Sequence, residues 1–197
     1  YLPTSISEEE VERLLKAPSR SSTIRSIRDA AILELLYATG MRVSEVVALD
    51  VGDLDLEEAC VHCISKRGAR RERVIPIYPH AVRSLRTYVE NSRGKLLRDD
   101  EEKEEEALFL NLRGHRLTRQ GLWLITKKYV EEIGINAPVT PHTLRHSFAT
   151  HLLNGGADVR EVQSLLGHAN VSTTQVYTQV GQERTREVYN DAHPWAH

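Results

Sequence analysis

Six side chains in this sequence have the types needed to cleave a phosphodiester through a tyrosine. A phenol is a weak nucleophile at its ordinary pKa of about 10, so a histidine must accept its proton while a lysine protonates the leaving sugar oxygen. Two arginines can hold the negative charge that gathers on the non-bridging oxygens. A covalent intermediate would conserve the energy of the broken bond, so ATP is not needed. The six residues are Arg42, Lys66, His142, Arg145, His168 and Tyr177.

Four of these side chains fall within residues 140–177. A Thr-Pro pair is a strong start for a helix beginning at residue 141. On that helix His142 and Arg145 share one face, because positions i and i+3 are neighbours. His168 follows a glycine that is predicted to end the next helix, and Tyr177 comes nine residues later. By position alone, a tyrosine here would usually be an ordinary core or surface aromatic.

Arg42 and Lys66 stand at two other turns of the chain. Arg42 begins a short predicted helix, whose free N–H groups would favour a phosphate. The alternative is that Arg42 makes only a surface ion pair with Glu45. Lys66 opens a predicted hairpin tip, residues 66–73, with five basic residues and one acid. A basic hairpin is otherwise often a solvated turn.

Hydrophobic spacing and capping signals predict a chain of helices interrupted by a few short strands. Strands are expected at about 54–56, 60–65 and 73–78, with a short apolar strand or extended piece at 107–111. His151 lies on an apolar helix face, so we interpret it as structural. Helices are expected at about 7–16, 23–40, 43–49, 79–91, 118–133, 141–155, 158–167 and 182–192.

Charge is distributed unevenly along the 197 residues. The net charge is −2, but residues 99–106 carry seven acids and one lysine, which leaves a net +4 on the rest. Local basic patches matter more for phosphate binding than the total. The acidic segment 98–106 is interpreted as an exposed loop; a regulatory role is the alternative. No run of 18 apolar residues indicates a membrane span.

Cysteine content favours a reduced, cytoplasmic setting. Cys60 and Cys63 are the two cysteines, and on a strand they would face opposite sides. No second pair accompanies them, so a zinc site is not expected. The sequence also lacks a Walker loop and an acidic metal-binding trio. We therefore expect a reaction without metal or other cofactor.

Four stretches of the sequence carry a resemblance to known proteins: Ala-Thr-Gly-Met-Arg-Val-Ser-Glu (38–45), Arg-Glu-Arg-Val-Ile-Pro-Ile (71–77), the run from His142 to Gly156, and Leu-Leu-Gly-His-Ala-Asn with Tyr177 (165–177). They resemble the tyrosine recombinase (phage integrase) family, and in particular its Xer-like members. The resemblance implies that Arg42 and Arg145 clamp the phosphate and that Lys66 is the general acid. It further implies that His142 assists proton transfer, that His168 hydrogen-bonds the phosphate, and that Tyr177 is the nucleophile of a 3′-phosphotyrosine intermediate.

The resemblance also implies a fold and a set of partners. The expected fold is mainly α with a small antiparallel β-sheet (α+β), forming a single catalytic domain over residues 1–197. A separate N-terminal domain that grips DNA would then be absent, so the chain would be part of a longer protein. The expected partners are double-stranded DNA and other protomers of a tetrameric synapse, reached through a tail helix at about 182–193. The residues expected to contact DNA are Arg67, Arg70 and Arg71 on the hairpin and Arg119 and Gln120 at a helix start.

The sequence departs from the family pattern at two places. The hairpin around Lys66 is one residue longer than usual, and the acidic segment 98–106 is an unusual insertion. Three functions remain open: site-specific recombination, as in chromosome-dimer resolution or mobile-element integration, topoisomerase-like DNA relaxation, and DNA binding without catalysis. A binder needs neither Tyr177 nor His168, so the complete set of six favours an enzyme.

Overall fold

Helices dominate the computed structural model, which describes residues 5–65, 71–97, 106–167 and 179–197. Short 3-10 turns follow α1 and α3, and a π-helical turn joins α4 to α5. Among the described residues, no helix is long and apolar enough to span a bilayer. The helices are α1 (Glu8–Lys16), α2 (Ile24–Thr39), α3 (Val43–Ala48), α4 (Pro79–Thr87), α5 (Arg93–Leu96), α6 (Arg119–Ile133), α7 (Pro141–Asn154), α8 (Val159–Leu166) and α9 (Gln179–Ala192).

Helix α2 is the central element of the fold. Its N-terminus is capped by Thr23, whose hydroxyl accepts a hydrogen bond from the N–H of Ser26. Every residue from Ala31 to Gly40 is buried, because α1, α4 and α7 all pack around this helix. Gly40 ends the helix with φ 63°, and a Cβ there would come within 2.3 Å of Phe148. The turn that follows is therefore held against α7.

Three antiparallel strands form the sheet, in the order β1 (Leu54–Asp55), β2 (Cys60–Ser65) and β3 (Arg71–Pro76). The sequence placed β3 at 73–78, and both ends of that prediction are wrong. Pairing begins with Arg71 opposite Ser65 and ends with Pro76 opposite Cys60. Beyond Pro76, the N–H of Ile77 donates to the carbonyl of Ala59, but the chain then turns into α4. The hairpin tip, residues 66–70, lies outside the described residues.

One helix extends further than expected, because the predicted helix at 79–91 continues through the π-helical turn to Leu96. The segment at 107–111, expected as a short strand or extended piece, pairs through two isolated bridges, Asp50 with Ala107 and Leu110 with Arg116, and its apolar residues lie in the core. Of the acidic segment, only Glu106 falls within the described residues, and it is exposed.

The C-terminal helix packs against its own chain. Helix α9 begins three residues earlier than predicted, and its Val188 and Tyr189 are both buried. The Tyr189 hydroxyl donates to the carbonyl of Ala38 at 2.7 Å. His151 is buried as predicted, with its Nδ1 2.7 Å from the hydroxyl of Tyr37. These contacts join α9 and α7 to the last turn of α2.

Candidate active site

Arg42 occupies the N-cap of α3, two residues after the glycine that ends α2. Its backbone is extended, and its N–H donates to Glu45 Oε1 at 2.9 Å. Its guanidinium lies 3.8 Å from the same carboxylate, yet the side chain is 43% exposed. The alternative of a simple surface pair with Glu45 does not describe this geometry, because Glu45 is buried and its strongest partner is another arginine.

That other arginine is Arg73 of β3, which the sequence suggested only as one more cation of the hairpin. Its two terminal nitrogens donate to the carboxylate of Glu45 at 2.6 and 2.9 Å, and both side chains are buried. Its Nε donates to the carbonyl of Leu165 at 2.8 Å. A Cβ on Gly167 would lie 2.7 Å from the same guanidinium, so only glycine fits there. Arg73 thus ties β3 to α3 and to the end of α8.

Glu45 is held as a carboxylate by this environment. Burial by itself raises the pKa of Glu45, but the hydrogen bonds and positive charge of Arg73 oppose it. The N–H of Arg42 and the thiol of Cys63 add hydrogen bonds, and the pKa falls to about 2. At neutral pH, one buried negative charge therefore lies among the arginines.

Arg145 projects from α7 toward the same turn. Its Nη1 donates to the carbonyl of Gly40 at 2.6 Å, and its Nη2 donates to the carbonyl of Leu166 at 3.1 Å. Burial, and after it the positive charge of Arg42, lower the pKa of Arg145 to about 10. The group remains protonated at neutral pH. The structure therefore brings Arg42 and Arg145 together, as the sequence predicted, although they lie 103 positions apart.

His142 lies one turn before Arg145, at the start of α7. The helix begins with a reciprocal capping pair between Thr140 and Thr143, which sets where His142 points. His142 is exposed, and its ring makes an edge contact with Trp123 of α6 at 5.7 Å between centroids. An exposed imidazole in this position can exchange a proton with a bound substrate.

The remaining predicted residues fall only partly within the described residues. Lys66, Arg67, Arg70, His168 and Tyr177 lie outside the described residues, and of Arg71 only the backbone is described. Their neighbours are defined: β2 ends at Ser65, and Gly167 ends α8 with φ 76°. Helix α9 begins two residues after Tyr177. Arg119 and Gln120 are exposed in the first turn of α6, as predicted.

The described part of the site can bind an oxyanion. Three guanidinium groups, those of Arg42, Arg73 and Arg145, surround the single carboxylate of Glu45, so positive charge is in excess. Arg73 is committed to Glu45, whereas Arg42 is substantially exposed and Arg145 is half-buried. Pairs of arginines suit phosphate oxygens because the planar guanidinium can donate two parallel hydrogen bonds.

Sequence comparison identifies relatives of the whole chain. The family model described as "Phage integrase family" matches residues 4–184. Tyrosine recombinase XerC of Roseiflexus castenholzii is 53% identical over 193 residues, covering 98% of this chain and 60% of that protein. Tyrosine recombinase XerD of Halalkalibacterium halodurans is 47% identical over 195 residues, covering 99% of this chain and 63% of that protein. The chain spans less than two thirds of the length of these curated relatives.

Solved structures with the same fold include two Xer proteins. A crystal structure of XerA recombinase superposes with a TM-score of 0.75 at 34% identity, covering 98% of this chain and 66% of that one. XerH site-specific recombinase, bound to its palindromic difH substrate, gives a TM-score of 0.72 at 27% identity, covering 96% and 53%. The mainly helical fold with a small antiparallel sheet is therefore confirmed.

Proposed function

This chain belongs to the phage integrase family, and on that premise we propose that it is the catalytic domain of a site-specific recombinase. It would cleave and rejoin double-stranded DNA through a 3′-phosphotyrosine, without a metal ion. The observation that carries the proposal is the convergence of Arg42 and Arg145 on the turn after α2, with Glu45 neutralised by Arg73. This leaves two guanidinium groups for a scissile phosphate.

Each catalytic residue has one role in this proposal. Arg42 and Arg145 hold the non-bridging oxygens as negative charge develops. His142 and His168 assist proton transfer and bind the phosphate, and Lys66 protonates the leaving 5′-oxygen. Tyr177 attacks the phosphorus; the P–O bond to the 5′-oxygen breaks, and the DNA 3′ end becomes esterified to the tyrosine. Reversal by a 5′-hydroxyl rejoins the strand.

DNA would lie across the surface that carries these groups. XerH, a structural relative, was solved bound to difH substrate. Support within this chain comes from Arg119 and Gln120, which are exposed at the start of α6, and from the exposed His142 beside Trp123. Arg67, Arg70 and Arg71 would add phosphate contacts from the hairpin. Base-edge contacts from Arg119 would carry sequence information, whereas phosphate contacts would not.

Covalent trapping tests the proposal directly. A DNA duplex carrying a nick next to the cleavage site loses a short 5′-hydroxyl fragment after attack, so the protein remains attached. Tyr177→Phe should abolish the adduct while leaving DNA binding nearly unchanged, because the substitution removes one oxygen. Tyr129→Phe, which removes the hydroxyl of a buried tyrosine in α6, should still form it. An adduct that persists in Tyr177→Phe would remove this residue from the role.

Two further assays separate the three candidate functions. A recombinase exchanges strands between two duplexes, whereas an enzyme that relaxes DNA changes the linking number of one circle without joining two molecules. A DNA-binding module forms no covalent adduct in either assay. Because the chain spans only part of its relatives' length, the assays should be run on the full-length gene product as well as on this chain.

We propose that protomers assemble on DNA as a tetrameric synapse and that residues 182–193 take part. The support is helix α9, which packs on β3 and α7 and whose Tyr189 hydroxyl reaches the carbonyl of Ala38 in α2. A neighbouring protomer offers the same docking surface to this helix.

A further inference from the structure

The two cysteines of β2 lie in different chemical surroundings. Cys63 faces the arginine cluster, and its thiol donates to Glu45 at 3.4 Å. Cys60 lies on the opposite face, because side chains alternate along a strand. His62 shares that face with Cys60, being two residues away, and Asp55 of β1 pairs directly across from Cys60. The two cysteines are close in sequence, but the sheet places Cys60 beside His62 and Asp55 and not beside Cys63.

These three side chains are close enough to share one ion. The Cys60 sulfur, a ring nitrogen of His62 and a carboxylate oxygen of Asp55 all lie within 4.8 Å of one another. Tetrahedral zinc, with bonds of about 2.0 to 2.3 Å, requires ligand atoms roughly 3.5 Å apart. Small rotations of side chains on paired strands would close the difference.

We propose that Asp55, Cys60 and His62 bind a divalent, thiol-seeking metal ion, best satisfied by zinc, with water as the fourth ligand. Three ligands of sulfur, nitrogen and oxygen type with one open position are an established zinc arrangement. On binding, the Cys60 thiol gives its proton to solvent and forms a sulfur–metal bond. The thiolate and the carboxylate together balance the ionic charge of 2+.

The exposure of the three side chains leaves a path for an ion to reach them. Cys60 is 4% exposed, whereas Asp55 and His62 are half-buried, so an ion can enter from their side.

A bound ion would join β1 to β2, which otherwise share two residue pairs. Strand β2 ends at Ser65, immediately before Lys66, so the ion would fix the base of the hairpin that carries the proposed general acid. The assignment itself does not depend on recombinase activity, because it rests on three side chains outside the arginine cluster.

Cobalt(II) provides the test, as a spectroscopic substitute for zinc. Titration into the reduced, metal-free chain should give visible d–d bands of tetrahedral intensity and a near-ultraviolet thiolate-to-metal charge-transfer band at one equivalent. Added Zn²⁺ should abolish both. Cys60→Ala should lose the charge-transfer band. Cys63→Ala is the matched control, since it removes the same group from the same strand on the opposite face, and should retain it.

Two variants that replace a polar side chain by another polar one provide a second test if Cys60→Ala folds poorly. Asp55→Asn and His62→Gln should each weaken Zn²⁺ binding at least about tenfold in competition with a chromophoric chelator, since even outer partners of metal ligands commonly contribute that much. Circular dichroism monitors their fold. The proposal is overturned if cobalt binds without a thiolate band, if the band depends on Cys63, or if folded Asp55→Asn and His62→Gln bind Zn²⁺ as tightly as the wild type.

Discussion

At the level of single residues, Arg145 is both anchored and available. Two of its donors bind the carbonyls of Gly40 and Leu166, which fixes the plane of the guanidinium. A guanidinium has five N–H donors, so this anchoring still leaves the capacity to bind an anion. Arg42 is anchored differently, through its backbone, and its side chain stays exposed. One arginine is thus preorganised and the other can adjust to the substrate.

We expect Arg42→Ala and Arg145→Ala each to slow DNA cleavage by about 10² or more, the scale for losing one transition-state donor. Single-turnover cleavage of nicked DNA measures the rate, and a gel shift measures binding. Arg145→Lys should also be impaired, because an ammonium cannot reproduce the two fixed hydrogen bonds. Arg25→Ala, an exposed arginine of α2, is the control for general loss of positive charge. Cleavage at the wild-type rate in either alanine variant would make that arginine structural.

Arg73 and Glu45 give a prediction about stability. Removing one partner of a buried ion pair leaves the other charge buried, so Arg73→Met should lower the free energy of unfolding by about 3 to 5 kcal/mol. Lys16→Met is the contrast: its pair with Glu12 is 73% and 52% exposed, and its loss should cost less than about 1 kcal/mol. Urea denaturation measures both. Equal losses of unfolding free energy in the two variants would show that the buried pair of Arg73 and Glu45 contributes no more to stability than the exposed pair.

The same pair predicts how stability depends on pH. Glu45 has a folded-state pKa of about 2, below its ordinary value of 4.5. Its contribution to stability is therefore complete above about pH 4.5 and is lost as the pH falls toward 2, on the order of 3 kcal/mol in total. Glu45→Gln should flatten that part of the stability profile. An unchanged slope between pH 4.5 and 2 in the variant would assign the effect to other carboxylates.

Local sequence could not reveal this pair. Arg42, His142 and Arg145 were identified because a motif and a helix period mark them. Arg73 looked like one cation among several in a basic hairpin, and Glu45 looked like a surface partner of Arg42. Their bond spans 28 positions and exists because β3 pairs with β2 from Arg71 onward. A register shift of one residue would turn Arg73 to the other face.

At the level of elements, the junction of α7 with α9 decides how the tail is held. Gly155 caps α7 with φ −80°, a conformation open to any residue. A Cβ there would nonetheless lie 2.0 Å from the carbonyl oxygen of Ala192, at the end of α9. Backbone cannot swing aside as a flexible side chain can. Gly155 therefore permits the close approach of two helix ends and is not needed for its own torsion angles.

Gly155→Ala should destabilise the fold by about 1 to 3 kcal/mol, the usual cost of overpacking, and should loosen α9 first. Hydrogen exchange would show faster exchange in residues 182–192 than in α2. Gly94→Ala is the matched control, because nothing lies within 4 Å of its added Cβ, and it should be neutral or slightly stabilising. If the hydrogen-exchange protection of α9 is unchanged in Gly155→Ala, the close contact between Gly155 and Ala192 is contradicted.

Elements governed by short-range signals were predictable, and elements governed by tertiary contacts were not. The capping signals that predicted a helix start at residue 7 and a helix end at residue 40 were both confirmed, because each acts within one turn. For the apolar segment at 107–111 the sequence left a strand and an extended piece open, since burial and β-propensity look alike in sequence. Its backbone pairs at two isolated bridges, one of them with the distant Asp50.

At the level of the whole molecule, the tail and the candidate site share one support. Tyr189 and His193 of the C-terminal region contact the carbonyls of Ala38 and Tyr37, in the last turn of α2. Two residues beyond Ala38 the chain reaches Gly40, whose carbonyl accepts the bond from Arg145. Displacing the tail would therefore relax the turn that orients both arginines, and in this way the proposed assembly would affect the proposed catalysis.

The docking surface that α9 covers on its own chain should also bind the tail of a second copy. A chain ending at residue 181 would uncover the buried rings of Tyr37 and Phe148, so it should unfold at a lower temperature and tend to associate. A synthetic peptide of residues 182–197 should bind this truncated chain, raise its unfolding temperature by mass action and change the fluorescence of Trp195.

A peptide carrying Tyr189→Ala is the control, because it lacks both the ring and the hydroxyl that reaches Ala38. The intact chain should be monomeric without DNA in ultracentrifugation. Its own tail covers the docking surface and leaves little area for a stable interface with a second copy. If the truncated chain is as stable as the intact one, or does not bind the wild-type peptide, then the tail is not exchanged between protomers through this surface. Assembly on DNA would then have to use another surface.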